Sequence, residues 1–332
     1  MKAAFIRQTG PPENITYGDL PKPEPTGHQL LVKVGAVAVN PIDTYIRSGL
    51  VQMNIPLPFI VGCDFAGTVE AVGPAVTHYK PGAHVWGSNQ GVLGRQGTFA
   101  EYVVVDECWA YPTPAAVTDE VVAATALVGI TAHLGLFRDV KLQRGETIFV
   151  HGGTGGVGSM VVQMAKAVGA KVITTGGSDE KVAACHALGA DHAINYKSHN
   201  LEAELKKLAP AGVNVWWETL REPNFDLAIG ALAARGRMVL MAGREARPPF
   251  PVGPFYVKGC SLHGFVMFMA RPDEQQHCAQ DINRWLTDGA LKPKIDRVLP
   301  LSEAAKAHRL QEESTVGKSG GVAGKLVLKP GA

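Results

Sequence analysis

One stretch constrains this chain more than any other: Thr147–Gly169, TIFVHGGTGGVGSMVVQMAKAVG. Thr147–His151 is a short run rich in β-branched and aromatic residues, as a buried parallel strand requires. A glycine-rich turn follows at once. Beyond it Val157, Val161, Met164, Ala165 and Val168 recur at helical spacing until Gly169 stops the helix. Within the turn, Gly153, Gly155 and Gly158 satisfy G-x-G-x-x-G between strand and helix. The first glycine permits a tight turn, the second lets backbone approach a pyrophosphate, and the third lets helix pack on strand. Thr154, Gly156 and Val157 complete the loop, and the helix N-terminus offers free N–H groups to phosphate oxygens. A dinucleotide site is expected here.

The flanking sequence extends this unit. Strand-like runs at 171–175, 192–195, 213–218, 237–241 and 261–268 alternate with helical patterns at 179–188, 201–208 and 225–232, the signature of a doubly wound parallel sheet. The first 120 residues read differently. Strands over 2–7, 29–39, 65–72, 84–86 and 100–105 are punctuated by Gly and Pro, including the stiff connector Pro21–Pro25, which suggests a small, partly closed barrel. Thr118-Asp-Glu opens a helix whose body, 121–136, is nearly all small and apolar. After two helices near 282–286 and 303–310, and the glycine-rich Ser319–Gly324, a last strand over 325–329 returns to the barrel. The α/β chain thus divides into 1–123 completed by 269–332, and an inserted 124–268.

Which dinucleotide is bound depends on the end of the second strand. An NAD-binding unit usually places Asp or Glu there for the ribose hydroxyls. Here KVITT runs into Gly176, Gly177 and Ser178 with no carboxylate, and Lys181 follows one helical turn later. A serine hydroxyl and a lysine ammonium suit a 2′-phosphate, so NADPH is expected.

Composition excludes other classes. With 46% hydrophobic and 19% charged residues and a net charge of +2, there is no basic run to suggest nucleic acid as the main partner. No apolar run approaching the roughly 18 residues of a membrane span is evident, and the N-terminus shows no signal-peptide pattern. Five scattered cysteines without a C-x-x-C pair suit reduced thiols in a cytoplasmic setting.

Five further motifs join the glycine turn in carrying a resemblance: VNPIDTYIRSG (39–49), GCDFAGTVEAVG (62–73), GTFAEYVVV (97–105), LGADHAINY (188–196) and AGKLVL (323–328). With HGGTGGVG (151–158) they run in family order along essentially the whole chain. The chain resembles the zinc-free, zeta-crystallin-like quinone reductases of the medium-chain dehydrogenase/reductase superfamily. That resemblance implies a GroES-like barrel built from both chain ends, an inserted Rossmann domain and an active site in the cleft between them. It also implies where zinc would sit in related alcohol dehydrogenases. Their catalytic cysteine matches Asn40, and their Gly-His-Glu matches Gly62-Cys63-Asp64. The cysteines of their structural zinc lobe are absent from 87–97. Cys63 and Asp64 alone cannot supply the three protein ligands of a catalytic zinc, so no metal is expected.

The same resemblance implies roles for individual residues. Asn40 and Tyr45 are candidate donors to the nicotinamide and the substrate oxygen, although Asn40 capping a turn and Tyr45 acting as a wall residue fit the sequence equally well. Asp43 orients its neighbours. Thr131, Tyr196, Gly243, Arg244, Phe265, Val266, Met267 and Lys325 match cofactor-contacting positions. The implied activity is NADPH-dependent reduction of a quinone, with an enone or 2-alkenal as the alternative substrate and a structural or RNA-binding role as the non-enzymatic one. A homodimer is expected through the apolar strand at 261–268, with a tetramer left open. Two features fit the family pattern poorly. Trp216 and Trp217 point to opposite faces of one strand, one suiting the core and one the cleft, and His133 reads as a neutral core histidine.

Overall fold

The computed structural model describes residues 1–317 and 321–331. The chain divides into two compact units, Met1–Ile130 with Ala270–Ala332, and Thr131–Met269. The first break falls at Ile130, further along the apolar helix than residue 123.

The first unit opens with β1 (Lys2–Ile6), β2 (Thr16–Asp19), β3 (Gln29–Ala38), α1 (Pro41–Ser48), β4 (Phe59–Ile60), β5 (Phe65–Val72), β6 (His84–Gly87), β7 (Tyr102–Asp106), β8 (Ala110–Pro112) and α2 (Asp119–His133). β2, β1 and β4 form a small antiparallel sheet. Asn40 precedes α1 in an extended conformation and Pro41 takes the first helical position, where the missing N–H costs nothing. α2 continues as six residues of π-helix to Asp139. Contrary to expectation, Asp119–Asp139 is long and apolar enough to cross a bilayer, but 78% of its most apolar window is buried in the protein. It is a core helix of the kind that is hydrophobic all round.

In the second unit follow β9 (Thr147–Val150), α3 (Gly156–Ala167), β10 (Lys171–Gly176), α4 (Asp179–Ala187), β11 (His192–Asn195), α5 (Leu201–Leu208), β12 (Val213–Glu218), α6 (Phe225–Ala231), β13 (Leu232–Leu240), α7 (Val252–Val257) and β14 (Ser261–Gly264). Every strand pair is parallel, in the order β11-β10-β9-β12-β13-β14. In chain order within the unit this is 3-2-1-4-5-6, the doubly wound arrangement whose switch point lies at β9. The strand expected over 261–268 ends at Gly264. Its neighbour β13 ends opposite, at Leu240, so Phe265 onward has no ladder to join and turns into a short 3₁₀ helix at Met267–Met269.

The chain then returns to the first unit with α8 (Pro272–Thr287), β15 (Ile295–Pro300), α9 (Ala304–Thr315) and β16 (Lys325–Lys329). These strands extend a seven-stranded sheet, β15-β16-β3-β5-β6-β8, with β7 also paired to β3. Within the glycine-rich Ser319–Gly324, positions 319 and 320 lie outside the described residues. β16 runs antiparallel to β3, with Val327 opposite Ala38 and Val39 N–H donating to Leu326 O at 2.9 Å. Continuing that register places Lys325 beside Asn40, two residues separated by most of the chain.

Candidate functional site

In the second unit the glycine turn is built as its sequence demands. A Cβ on Gly153 would lie 2.3 Å from Thr174 Oγ1, and one on Gly158 would lie 2.2 Å from Gly152 O, so both positions exclude any larger residue. Thr175 Oγ1 accepts the Gly152 N–H at 3.0 Å and Thr174 Oγ1 donates to Val150 O at 2.7 Å, pinning the turn to β10. Gly155 precedes α3 in extended conformation. Gly155 and Gly156 are exposed while Gly158 is buried, which opens the first N–H groups of a twelve-residue helix to an anion. Thr154 and Val157, on either side of the exposed pair, lie half-buried. This is a cradle that fits a pyrophosphate.

Beyond β10, Ser178 is the N-cap of α4, its Oγ accepting Lys181 N–H at 3.3 Å. Its hydroxyl proton stays available to a ligand. The Lys181 residue is exposed. Tyr196 is 51% exposed, and its hydroxyl lies 2.5 Å from where a Gly177 Cβ would stand, so the ring covers that glycine. Three of the sequence-selected residues, Ser178, Lys181 and Tyr196, therefore gather with Gly177 at the ends of β10 and β11.

Elsewhere in this unit, Thr131 is buried and Gly243 takes φ +83°. Arg244 is exposed beside Glu245, at 3.8 Å. Phe265 is half-buried under the Arg138 guanidinium, 5.3 Å from its ring centroid, with Val266 exposed and Met267 buried. His133 is buried edge-on to Phe137.

The tryptophan pair corrects an expectation, because both Trp216 and Trp217 are fully buried. Trp216 packs on Phe149 at 4.3 Å between ring centroids and donates to Glu218 Oε2 at 3.1 Å. Trp217 fills space left by Gly135, where a Cβ would come within 2.4 Å of the indole. Glu218, missed in the sequence, is also buried. It accepts Leu220 N–H at 2.8 Å and faces His151 Nδ1 at 3.2 Å, joining β9 to β12 directly beside the glycine turn. A histidine ending one strand with a glutamate ending its neighbour was the available signal.

In the first unit a buried polar cluster surrounds the start of α1. Asn40 is fully buried. Its Nδ2 donates to Asp64 Oδ2 at 2.8 Å, its Oδ1 accepts from Lys325 Nζ, and its backbone N–H donates to Asp43 Oδ2 at 2.7 Å. Lys325 Nζ also donates to Val39 O at 2.9 Å and lies 4.0 Å from the Asp64 carboxylate. Asp64 Oδ1 in turn accepts Leu127 N–H at 3.1 Å, and Thr98 Oγ1 donates to Asp64 O at 2.7 Å. Gly62, at φ +100°, lies where a Cβ would strike the Phe99 ring, and it delivers Cys63 and Asp64 to the cluster. Tyr45 is half-buried on α1.

The electrostatics follow from burial. Burial pushes the Asp43 carboxyl up to about 7, opposed by the neighbouring Cys63 thiol and reinforced by the Asp64 charge. Burial likewise raises Asp64, held back by Lys325, and lowers Lys325, opposed first by Asp64. The Cys63 thiol is raised well above its ordinary range by burial and by Asp43. An amide, a protonated thiol and a carboxylate facing an ammonium do not make a zinc site. The remaining carboxyl, Asp43, has Oδ2 engaged by the Asn40 backbone N–H, and a cation is already built in.

Comparison with known proteins agrees with this construction. Residues 26–115 match the alcohol dehydrogenase GroES-like domain, and residues 156–284 match the zinc-binding dehydrogenase domain. The quinone oxidoreductase of Sus scrofa is 33% identical over 332 residues, covering 99% of this chain and 97% of the relative. A trans-enoyl reductase from Aspergillus terreus is 32% identical over 331 residues, covering 91% and 86%. The crystal structure of Escherichia coli quinone oxidoreductase complexed with NADPH superposes with a TM-score of 0.87 at 26% identity, covering 99% of this chain and all of that one. With its glycine cradle, its 3-2-1-4-5-6 sheet and a full-length match at this identity, the chain belongs to the quinone oxidoreductase family of the medium-chain dehydrogenase/reductase superfamily.

Proposed function

We propose that this protein is an NADPH-dependent quinone reductase that works without a metal. The observation that carries the reading is the ammonium of Lys325 bonded to Asn40 and 4.0 Å from Asp64, where the family resemblance implies zinc ligands in related alcohol dehydrogenases, and a cofactor bringing its own hydride needs no metal there. Bound NADPH supplies that hydride. The chain's own residues bind and orient. The α3 N-terminus at Gly155–Gly158 takes the pyrophosphate, and Ser178 and Lys181 take the 2′-phosphate with Tyr196 alongside. Thr131, Gly243, Arg244 and Phe265–Met267 serve the nicotinamide half. Tyr45 offers a hydroxyl proton to the substrate oxygen, which carries the charge as the ring is reduced.

The test is NADPH oxidation with 1,2-naphthoquinone, and no turnover on a quinone panel would sink the reading. Lys181→Met should lower the preference for NADPH over NADH about fivefold to tenfold, since one exposed charge on a phosphate is worth about 1 kcal/mol. An unchanged preference would remove Lys181 from the 2′-phosphate site. A second reading, reduction of an enone or 2-alkenal double bond, draws support from the trans-enoyl reductase relative, and the same assay with a 2-alkenal separates the two.

The remaining assignments are coarser. Five free cysteines, three of them buried, suit a reducing cytoplasm. β14 ends the six-stranded sheet with Leu262 exposed, and α7 just before it leaves Tyr256 and Val257 69% and 75% exposed. An apolar edge of this kind calls for a cover, and the reading assigns a second copy of the chain to it, making a homodimer.

A further inference from the structure

Lys325 matches a cofactor-contacting position of the family, yet its side chain is spent inside the first unit. It is 6% exposed, two of its three donors are used on Val39 O and Asn40 Oδ1, and Asp64 faces the charge at 4.0 Å. Asn40 in turn has its carboxamide fixed at both ends, oxygen to Lys325 and nitrogen to Asp64. An amide flip would set Nδ2 against the ammonium and Oδ1 against the carboxylate, two repulsive pairs in place of two bonds. The lysine and the aspartate together therefore choose one orientation of the Asn40 side chain. Asn40 also starts α1, with its backbone N–H held by Asp43, and Tyr45 rides on that helix one turn later.

We propose that Lys325 is a positioning residue rather than a cofactor ligand: its ammonium, paired with Asp64, locks the Asn40 carboxamide and with it the start of the helix carrying Tyr45. The pair does internally what a bound cation does for its ligands, but with a charge delivered by the strand register of β16 on β3. A slip of one residue in that register would turn Lys325 to the opposite face. The functional half rests on the quinone reductase reading above. The structural half does not.

The experiment compares wild-type protein, Lys325→Met and the double variant Lys325→Met/Asp64→Asn, which removes both members of the buried charge pair if the single variant folds poorly. Steady-state kinetics with NADPH and 1,2-naphthoquinone should show kcat reduced about 10- to 100-fold in both variants, as misplacement of an orienting group does, with KM for NADPH within about twofold of wild type. In protein labelled with ¹⁵N-asparagine, the Asn40 side-chain NH₂ resonance, identified by its absence in Asn40→Asp, should lose its protection from hydrogen exchange in both variants. A large rise in KM for NADPH with kcat preserved would make Lys325 a cofactor contact and overturn the proposal. So would a lower melting temperature with unchanged kinetics per folded enzyme, or an Asn40 resonance indifferent to Lys325. If the wild-type protein reduces no quinone, the functional reading fails while the exchange measurement still decides whether Lys325 holds Asn40.

Discussion

At the scale of single residues, Asp43 makes a prediction with a definite sign. Its folded-state carboxyl titrates at about 7, against about 3.9 in an unfolded chain. The folded protein therefore binds the extra proton between those values. The stabilisation this brings is fully present at low pH and is lost as pH rises through about 7. Asp43→Asn should remove that dependence. Melting temperatures measured from pH 5.5 to 8.5 should show wild type losing ground to the variant up to about pH 7 and running parallel to it above, and curves parallel over the whole range would contradict the assignment. Asn40, Cys63 and Asp64 drew attention in the sequence because the family resemblance implies zinc ligands at those positions in related alcohol dehydrogenases. The burial of Trp217 was not, because alternation along a strand tells which face a side chain takes and not what covers that face. Here Gly135, eighty-two residues earlier in the chain, vacates the space.

Whole elements were easier to read. The strand–turn–helix around the glycine motif appears nearly as expected, since turn chemistry, helical spacing and strand composition all point the same way. Gly158→Ala tests the turn directly. A Cβ there meets backbone oxygen at 2.2 Å, and overpacking against backbone should cost about 1–3 kcal/mol, together with loss of NADPH binding by fluorescence titration. Gly230→Ala on α6, where a Cβ meets nothing within 4 Å, is the control and should be neutral or slightly stabilising. Equal effects of the two would show that the turn does not need its glycine. The elements that escaped sequence reading are those made by partners. β15 forms because β16 offers it a parallel ladder, and the strand at 261–264 stops short because β13 does. Apolar runs alone cannot show where a neighbour ends.

At the scale of the whole molecule, the two-unit division and the doubly wound order were legible from alternation of strands and helices and from the last strand having no place in the six-stranded sheet. Association is where the expected outcome is most direct. Tyr256→Lys combined with Val257→Glu places charge on the exposed face of α7 and should shift sedimentation equilibrium from dimer to monomer without lowering the melting temperature of the monomer. A wild-type monomer at micromolar concentration would refute the dimer. The path of the chain through the first unit has another consequence. Lys325 lies 285 residues after the Asn40 it bonds, so during synthesis, at roughly 5–20 residues per second, Asn40 and Asp64 wait on the order of 15 to 60 s for their partner. The nascent barrel can collect its strands in that time but must hold an uncompensated carboxylate at its centre. Pairing of β16 then acts as the closing signal, and a chain released before it carries a finished nucleotide cradle in its second unit while the first turn of α1 is still unlocked.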